Sequence, residues 1–217
     1  MNDREVEAFL AQATPKQRQE ILWFLRHQYR FPLHPLELEW NTSAEAVLQA
    51  IYDAPDLTQR GVKGILAEAT FRTVVVPERL AHWQSLPVQN DDAYDLLLDD
   101  GRGGVKVQVK NQRKEGGVPA NFRMQRDVFV VETQRTRNGV RSDGEPSRPY
   151  RYGEFDVIAV CLQPLSGDWT DFIYCPQKRL LARQDRLDWL AVIQPVHLDG
   201  QNGWTRSFDI AATASRT

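Results

Sequence analysis

The chain has 217 residues, 41% of them hydrophobic and 26% charged, with a formal net charge of −2. That is enough material for one ordinary domain with a small appendage, and it excludes a wholly disordered chain. No apolar run approaches the roughly 18 residues of a membrane helix, and the acidic, polar start MNDREVEAFL lacks the pattern of a secretory or organellar leader, so a cytoplasmic protein without membrane contact is expected.

Residues 1–57 read as a helical N-terminal region. Residues 5–11 make a short amphipathic segment. Thr14-Pro15 starts a helix, with a capping hydroxyl followed by proline at the first helical position, and Ile21, Leu22, Phe24 and Leu25 give it an apolar face. Phe31-Pro32 and His34-Pro35 break it. Thr42-Ser43-Ala44-Glu45 fits a capping box, followed by a second apolar face at Ala46, Val47, Ala50 and Ile51.

A domain of residues 58–217 follows. Its first helix begins at Thr58, carries Ile65, Leu66, Ala69 and Val74, and ends near Pro77. The apolar period then changes to two. Strands are predicted near residues 81–86, 94–99, 105–110, 128–133, 155–162, 171–174 and 191–198, with a hairpin turn at Asp100-Gly101 and Gly103-Gly104. Residues 138–149, rich in Gly, Ser, Pro and Arg, read as a long mobile loop. Short helices are predicted over 177–183 and 207–214. The fold class is α/β (α+β), a mixed and mostly antiparallel sheet flanked by helices. The two cysteines, Cys161 and Cys175, fall in apolar runs that read as neighbouring strands, where reduced core thiols are expected. No cysteine or histidine cluster suggests zinc.

Charge is unevenly spread. Between Gly101 and Arg151 there are twelve Lys/Arg and five Asp/Glu, a local +7, so the remainder carries −9. Such a stretch can present a footprint for phosphate, and a solvated basic loop explains the charge count equally well.

The chemistry concentrates in two segments, Tyr94-Asp95-Leu96-Leu97-Leu98 and Val105-Lys106-Val107-Gln108-Val109-Lys110. In the second, the three valines point one way and Lys106, Gln108 and Lys110 the other. Asp95 opens its strand and Lys110 closes its own, so an antiparallel hairpin brings a carboxylate, an amide and an ammonium to one edge of the sheet. Phosphodiester hydrolysis uses such a set: oxygen ligands for a hard cation, and a cation to orient water and offset charge on the phosphate.

The order, separation and strand context of Asp95 and Gln108-Val109-Lys110 resemble the PD-(D/E)XK nuclease superfamily, over residues 58–135. Its members carry an Asp at the start of one strand and a (Glu/Asp/Gln)-x-Lys triplet in the next. The resemblance implies a restriction-endonuclease-like core, with Asp95 and Gln108 as ligands of Mg²⁺ (Mn²⁺ substituting) and Lys110 as the catalytic lysine. Many members also carry a Glu on the helix before the sheet. Glu68, within Ile65-Leu66-Ala67-Glu68-Ala69-Thr70, matches it as a fourth catalytic residue and third metal ligand, since an acid among apolar neighbours is costly without a cation or a hydrogen-bonding partner. Two departures stand out: Tyr94 replaces the proline before Asp95, and Gln108 is a minority variant that lacks a negative charge, which Glu68 would supply.

Asn111, Gln112, Arg113 and Lys114 follow the motif directly and are expected to contact the phosphate backbone. Gln134, Arg135, Arg137 and Arg141, with Arg148 and Arg151, lie in or beside the long loop, which reads equally as a recognition arm that orders on DNA and as a disordered surface loop. Tyr150 and Tyr152 pack where the chain leads into the next strand, with base stacking as the alternative. Asp91 and Asp92 after Asn90 read as turn residues rather than metal ligands. The implied activity is Mg²⁺-dependent endonuclease cleavage of double-stranded DNA, of type II restriction or defence type. Two sites are needed to cut a palindrome, so a homodimer is expected. A homing or structure-specific, junction-resolvase-like nuclease would use the same residues, and a non-catalytic DNA-binding module would bind DNA without regard to Mg²⁺.

Overall fold

The computed structural model describes residues 3–89, 92–125, 127–135, 139–141 and 143–217. The chain divides into two compact units, Met1–Gln59 and Arg60–Thr217. Among the described residues no helix is long and apolar enough to cross a membrane.

The first unit contains α1 (Asp3–Gln12), α2 (Pro15–Tyr29), α3 (Pro35–Glu39) and α4 (Ala44–Asp53). Thr14 and Gln17 close a reciprocal capping box on α2, with Thr14 Oγ1 accepting from the Gln17 N–H at 3.3 Å and Gln17 Oε1 accepting from the Thr14 N–H at 2.9 Å. The cap of α4 is Ser43 rather than Thr42: Ser43 Oγ accepts from the Ala46 N–H at 3.1 Å. Glu45 turns instead to Arg26, whose Nε donates to it at 2.8 Å. Arg26 also pairs with Glu37 at 3.0 Å, and these two side chains are only 11% and 9% exposed. Glu37 further accepts from the Ala44 N–H at 2.7 Å. No residue of α2, α3 or α4 is buried, and Trp23, Tyr29, Phe31, Trp40 and Tyr52 are exposed. A charged cluster, not an apolar one, therefore organises this unit; such a cluster fixes geometry more than it adds stability.

α5 (Asp56–Thr70), which enters the second unit at Arg60, continues as a π-helical turn at Phe71–Val75 and then α6 (Val76–Arg79). Ala67, Phe71 and Val75 are buried, each four residues from the last, while Ile65 is 67% and Leu66 46% exposed. The apolar face expected at Ile65, Leu66 and Ala69 is thus displaced, because the widened turn keeps a four-residue spacing on one line where an α-helix would drift off it. Pro77 falls in the first turn of α6 and does not end the helix.

The strands are β1 (Gln84–Leu86), β2 (Leu96–Asp99), β3 (Gly104–Asn111), β4 (Lys114–Glu115), β5 (Val118–Pro119), β6 (Val128–Glu132), β7 (Val157–Cys161), β8 (Phe172–Pro176) and β9 (Ile193–His197). Five of them form one sheet in the order β1-β2-β3-β7-β8, antiparallel except for the parallel pair β3–β7. This is the mixed, mostly antiparallel architecture expected from the sequence. β4–β5 and β6–β9 are separate two-stranded ribbons; the first was not foreseen, because Lys114, Glu115 and Pro119 lack an apolar alternation. After α7 (Gln163–Ser166) and β8 the chain makes only a 3₁₀ turn at Gln177–Arg179 where a longer helix was expected, and it ends in α8 (Phe208–Arg216), capped by Ser207.

One face of the sheet packs Leu96, Leu98, Val105, Val107 and Val109 against Phe71, Val75, Phe208 and Ala211 of the helices. The other packs Ile158, Val160 and Ile173 against Phe129, Val131 and Val196 of the β6–β9 ribbon, with Tyr150, Phe155 and Trp204. Cys161 and Cys175 are buried and free, and burial pushes their thiols up to about 11 and about 12.

Hydrogen bonds from Arg26 and from the Ala44 N–H hold Glu37 at about 2, below its ordinary 4.5. A carboxyl with a depressed native pKa lends stability that is complete above its ordinary value and is lost as pH falls towards the native one. The thermal midpoint of the wild type should therefore exceed that of Glu37→Gln at pH 6, and the gap should close as pH drops from 4.5 to about 2. A gap that persists unchanged to low pH would show that the ion cluster is not what Glu37 contributes.

Candidate active site

The hairpin of β2 and β3 sets Leu96 opposite Val107. Asp95 precedes β2 and prolongs the ladder, its N–H donating to Val107 O at 2.9 Å. Its carboxylate is then carried alongside the end of β3, where Oδ2 accepts from the Val109 N–H at 2.7 Å and from Gln108 Nε2. Alternation along β3 buries Val107 and Val109 under the helices and sends Gln108 and Lys110 to the opposite face. Gln108 Oε1 accepts from the Tyr150 hydroxyl at 2.9 Å. Lys110 Nζ donates to Gln134 O at 3.2 Å and to Tyr150 Oη at 3.4 Å. Glu68, on α5, is paired with Arg72 at 2.9 Å, and the same guanidinium nitrogen donates to Asp95 O at 2.8 Å.

The four sequence candidates Asp95, Gln108, Lys110 and Glu68 are thus brought together. Two further residues tie them. Arg72 lies four residues after Glu68 on the helix, a spacing that sequence reasoning could have used. Tyr150 is remote in sequence, and nothing in its local context points to Gln108.

Burial pushes the Asp95 carboxyl up to about 6, against the pull of Lys110 and of the Val109 N–H. Burial also lowers Lys110, with Asp95 and Glu68 opposing it. The Tyr150 phenol is raised by burial and by the charge of Asp95. Two carboxylates, with the Gln108 oxygen once its amide turns from Tyr150 toward Asp95, would make a hard oxygen donor set of the kind Mg²⁺ takes while keeping water and phosphate ligands. Among the described residues no group of three or more His, Cys, Asp or Glu could hold a metal ion. The raised Asp95 carboxyl fits a cation at this site, because a cation would offset its burial.

The expected nucleic-acid contacts are placed unevenly. Lys114 is exposed on β4 and makes no ion pair among the described residues. Arg113 pairs with Glu132 at 2.7 Å and lines a cavity of about 650 Å³ with Phe122, Arg123 and Arg183. Gln112 is 3% exposed, and neither amide atom has a partner among the described residues; Asn111 Oδ1 is also buried and unpaired. Gln134 reaches Glu132 through Nε2 at 3.2 Å. Arg135 pairs with Glu154 at 3.4 Å and lies 5.6 Å over the Tyr150 ring. Arg141 turns inward to Glu154 and to Pro149 O, 5.5 Å over the Trp189 ring. Arg151 pairs with Asp143 at 2.6 Å, also over Trp189. Arg137, Asn90 and Asp91 lie outside the described residues, and Asp92 accepts from the Gln89 N–H at 3.1 Å as a turn residue would. The stretch read as a mobile loop is tied across itself where it is described, with the Arg141 N–H donating to Glu145 O at 2.8 Å and the Ser147 N–H to Gly139 O at 2.9 Å.

No protein-family model matches the chain, and no curated protein matches it. Among solved structures, the bacterial homing endonuclease I-Ssp6803I is 26% identical, with coverage of 54% of this chain and 68% of that one and a TM-score of 0.36, too low to establish a shared fold.

Two outcomes are expected. Asp95→Asn should keep its thermal midpoint within a few degrees of wild type, because it removes a charge that burial disfavours and keeps an oxygen for the Val109 N–H; a large drop would make Asp95 structural. Lys114→Ala should weaken double-stranded DNA binding equally across sequences and reduce the salt slope by about 1, whereas Arg141→Ala should mainly lower the thermal midpoint. Equal salt slopes for Lys114→Ala and wild type would remove Lys114 from the interface.

Proposed function

We propose that residues 58–217 form a Mg²⁺-dependent endodeoxyribonuclease of PD-(D/E)XK type, a restriction or defence enzyme that cuts double-stranded DNA to 5′-phosphate and 3′-hydroxyl ends. The observation that carries this reading is the meeting of Asp95, Gln108, Lys110 and Glu68 at the end of one hairpin. A β-hairpin whose Gln and Lys merely faced water would not enclose them beside a carboxylate.

Asp95, Glu68 and the Gln108 oxygen would hold Mg²⁺. When bound, the ion supplies polarisation of the scissile phosphate and neutralisation of its charge. Lys110 would hydrogen-bond the attacking water and attract the charge that builds on the phosphate oxygens. Arg72 links Glu68 to the Asp95 backbone and so ties the helix to the hairpin. Cutting both strands of a palindrome calls for two copies of this site, hence a homodimer on the DNA.

The test is incubation of supercoiled plasmid and phage DNA with Mg²⁺. Wild type should give discrete fragments, and Asp95→Ala and Lys110→Ala should each lose at least about 100-fold in rate. Nicking or smearing that both substitutions abolish would reassign the protein to structure-specific or non-specific cleavage. DNA binding by wild type with no cleavage in Mg²⁺ or Mn²⁺ would sink the nuclease reading and leave a binding module.

A further inference from the structure

The Gln108 side chain is 3% exposed, and both of its ends are engaged. Nε2 donates to Asp95 Oδ2 and to Val109 O at 3.2 Å. Oε1 accepts from Tyr150 Oη at 2.9 Å. An ionised carboxylate only accepts hydrogen bonds, so beside Asp95 alone the amide must present its NH₂ group. A divalent cation at Asp95 reverses that demand, because only the amide oxygen can be a ligand to it. The amide must then turn end for end, and the end that faces Tyr150 becomes the NH₂ group.

A phenolic hydroxyl both donates and accepts. Tyr150 Oη can therefore serve Gln108 in either orientation, as donor to Oε1 in one and as acceptor from Nε2 in the other. The neighbouring Lys110 ammonium, 3.4 Å from Oη, can only donate, so it could replace the hydroxyl in the first orientation but not in the second. Tyr150 is itself firmly held: it is 3% exposed, edge-on to Phe155 at 5.4 Å, with the Arg135 guanidinium 5.6 Å over its ring.

We propose that Tyr150 is a positioning residue, a hydroxyl pivot that keeps Gln108 hydrogen-bonded in both amide orientations and so lets it exchange its bond to Asp95 for a divalent cation. The proposal rests on the cation-dependent nuclease reading above. Tyr150→Phe leaves the turned amide with an unpaired NH₂ beside an ammonium, which disfavours the cation-bound state. Gln108→Glu removes the need to turn, since both carboxylate oxygens are acceptors.

The experiment is calorimetric titration of the full chain with Mn²⁺, without DNA, for wild type, Tyr150→Phe, Gln108→Glu and the double variant, with thermal midpoints and Mg²⁺-dependent plasmid cleavage measured on the same preparations. Tyr150→Phe should weaken Mn²⁺ binding about 3- to 10-fold where residue 108 is Gln and by less than about 2-fold where it is Glu. In nitrogen–proton spectra, Mg²⁺ should move the side-chain NH₂ signal that Gln108→Glu deletes. An equal loss of affinity in both backgrounds, or none in either, would overturn the pivot while wild-type cleavage keeps the nuclease reading. A wild type that neither binds Mn²⁺ nor cuts DNA overturns both.

Discussion

The site depends on the register of β2 against β3. With Leu96 opposite Val107 and Asp99 opposite Gly104, Asp95 arrives beside Gln108 and Val109. A slip of one residue would move Asp95 away and turn Gln108 and Lys110 into the helix-covered core. The turn holds this register. Gly101 and Gly103 take positive φ values of 85° and 116°, which residues with a Cβ resist. Asp99 Oδ1 accepts from the Gly101 N–H at 2.7 Å, and Arg216 of α8 pins Asp100 at 2.8 Å. The C-terminal helix thus clamps the far end of the hairpin that carries Asp95, Gln108 and Lys110.

Gathering these groups costs free energy. Burial disfavours both the Asp95 carboxylate and the Lys110 ammonium, and neither is offset by the other alone. A glutamate at position 108 would add a like charge next to Asp95. Glutamine instead donates to Asp95 Oδ2, so the pair is satisfied without a cation. On the proposed reading the same choice would weaken the pull on a cation and leave Glu68 as the second carboxylate. Glu68 is itself paired with Arg72, and its helix neighbours Ile65 and Leu66 are exposed. The reason for singling it out, an acid in need of a partner, is met by that arginine. What places it in the site is the bridge from Arg72 to Asp95 O.

The parts of the fold legible in the sequence are those with a local cause. The period-two valines of β3, the glycine turn, the Thr14-Pro15 helix start and the apolar runs of β7 and β8 each carry their own signal. The buried line Ala67, Phe71 and Val75 was hidden, because a π-helical turn changes which residues share a face. The parallel pairing of β3 with β7 was hidden too, since it spans a crossover that contains the β4–β5 ribbon and β6, whose partner β9 lies beyond β8. At the site, Asp95, Gln108 and Lys110 share one hairpin and could be read together. Tyr150 could not, because the hydrogen bond that gives it meaning reaches 42 residues back along the chain.

The local excess of basic residues between Gly101 and Arg151 overstates the surface this protein offers to phosphate. Of the basic residues between Gly101 and Arg151, Arg102, Arg113, Arg135, Arg141 and Arg151 are paired with carboxylates of the same chain, and Lys110 is partly buried, its ammonium donating to Gln134 O and Tyr150 Oη. Around Trp189 four guanidinium groups, from Arg141, Arg151, Arg183 and Arg186, pack over one buried ring, so part of the basic stretch serves as scaffold. Lys114, Arg123 and Arg148 remain exposed and without an ion pair among the described residues. A duplex approaching the end of β3 would meet few free cations at first. Its phosphates would have to compete with Glu132, Glu154 and Asp143 for arginines that already have partners. On the proposed reading, phosphate recognition on this face would exchange internal ion pairs for external ones, so binding would depend on the fit of the backbone to those particular positions.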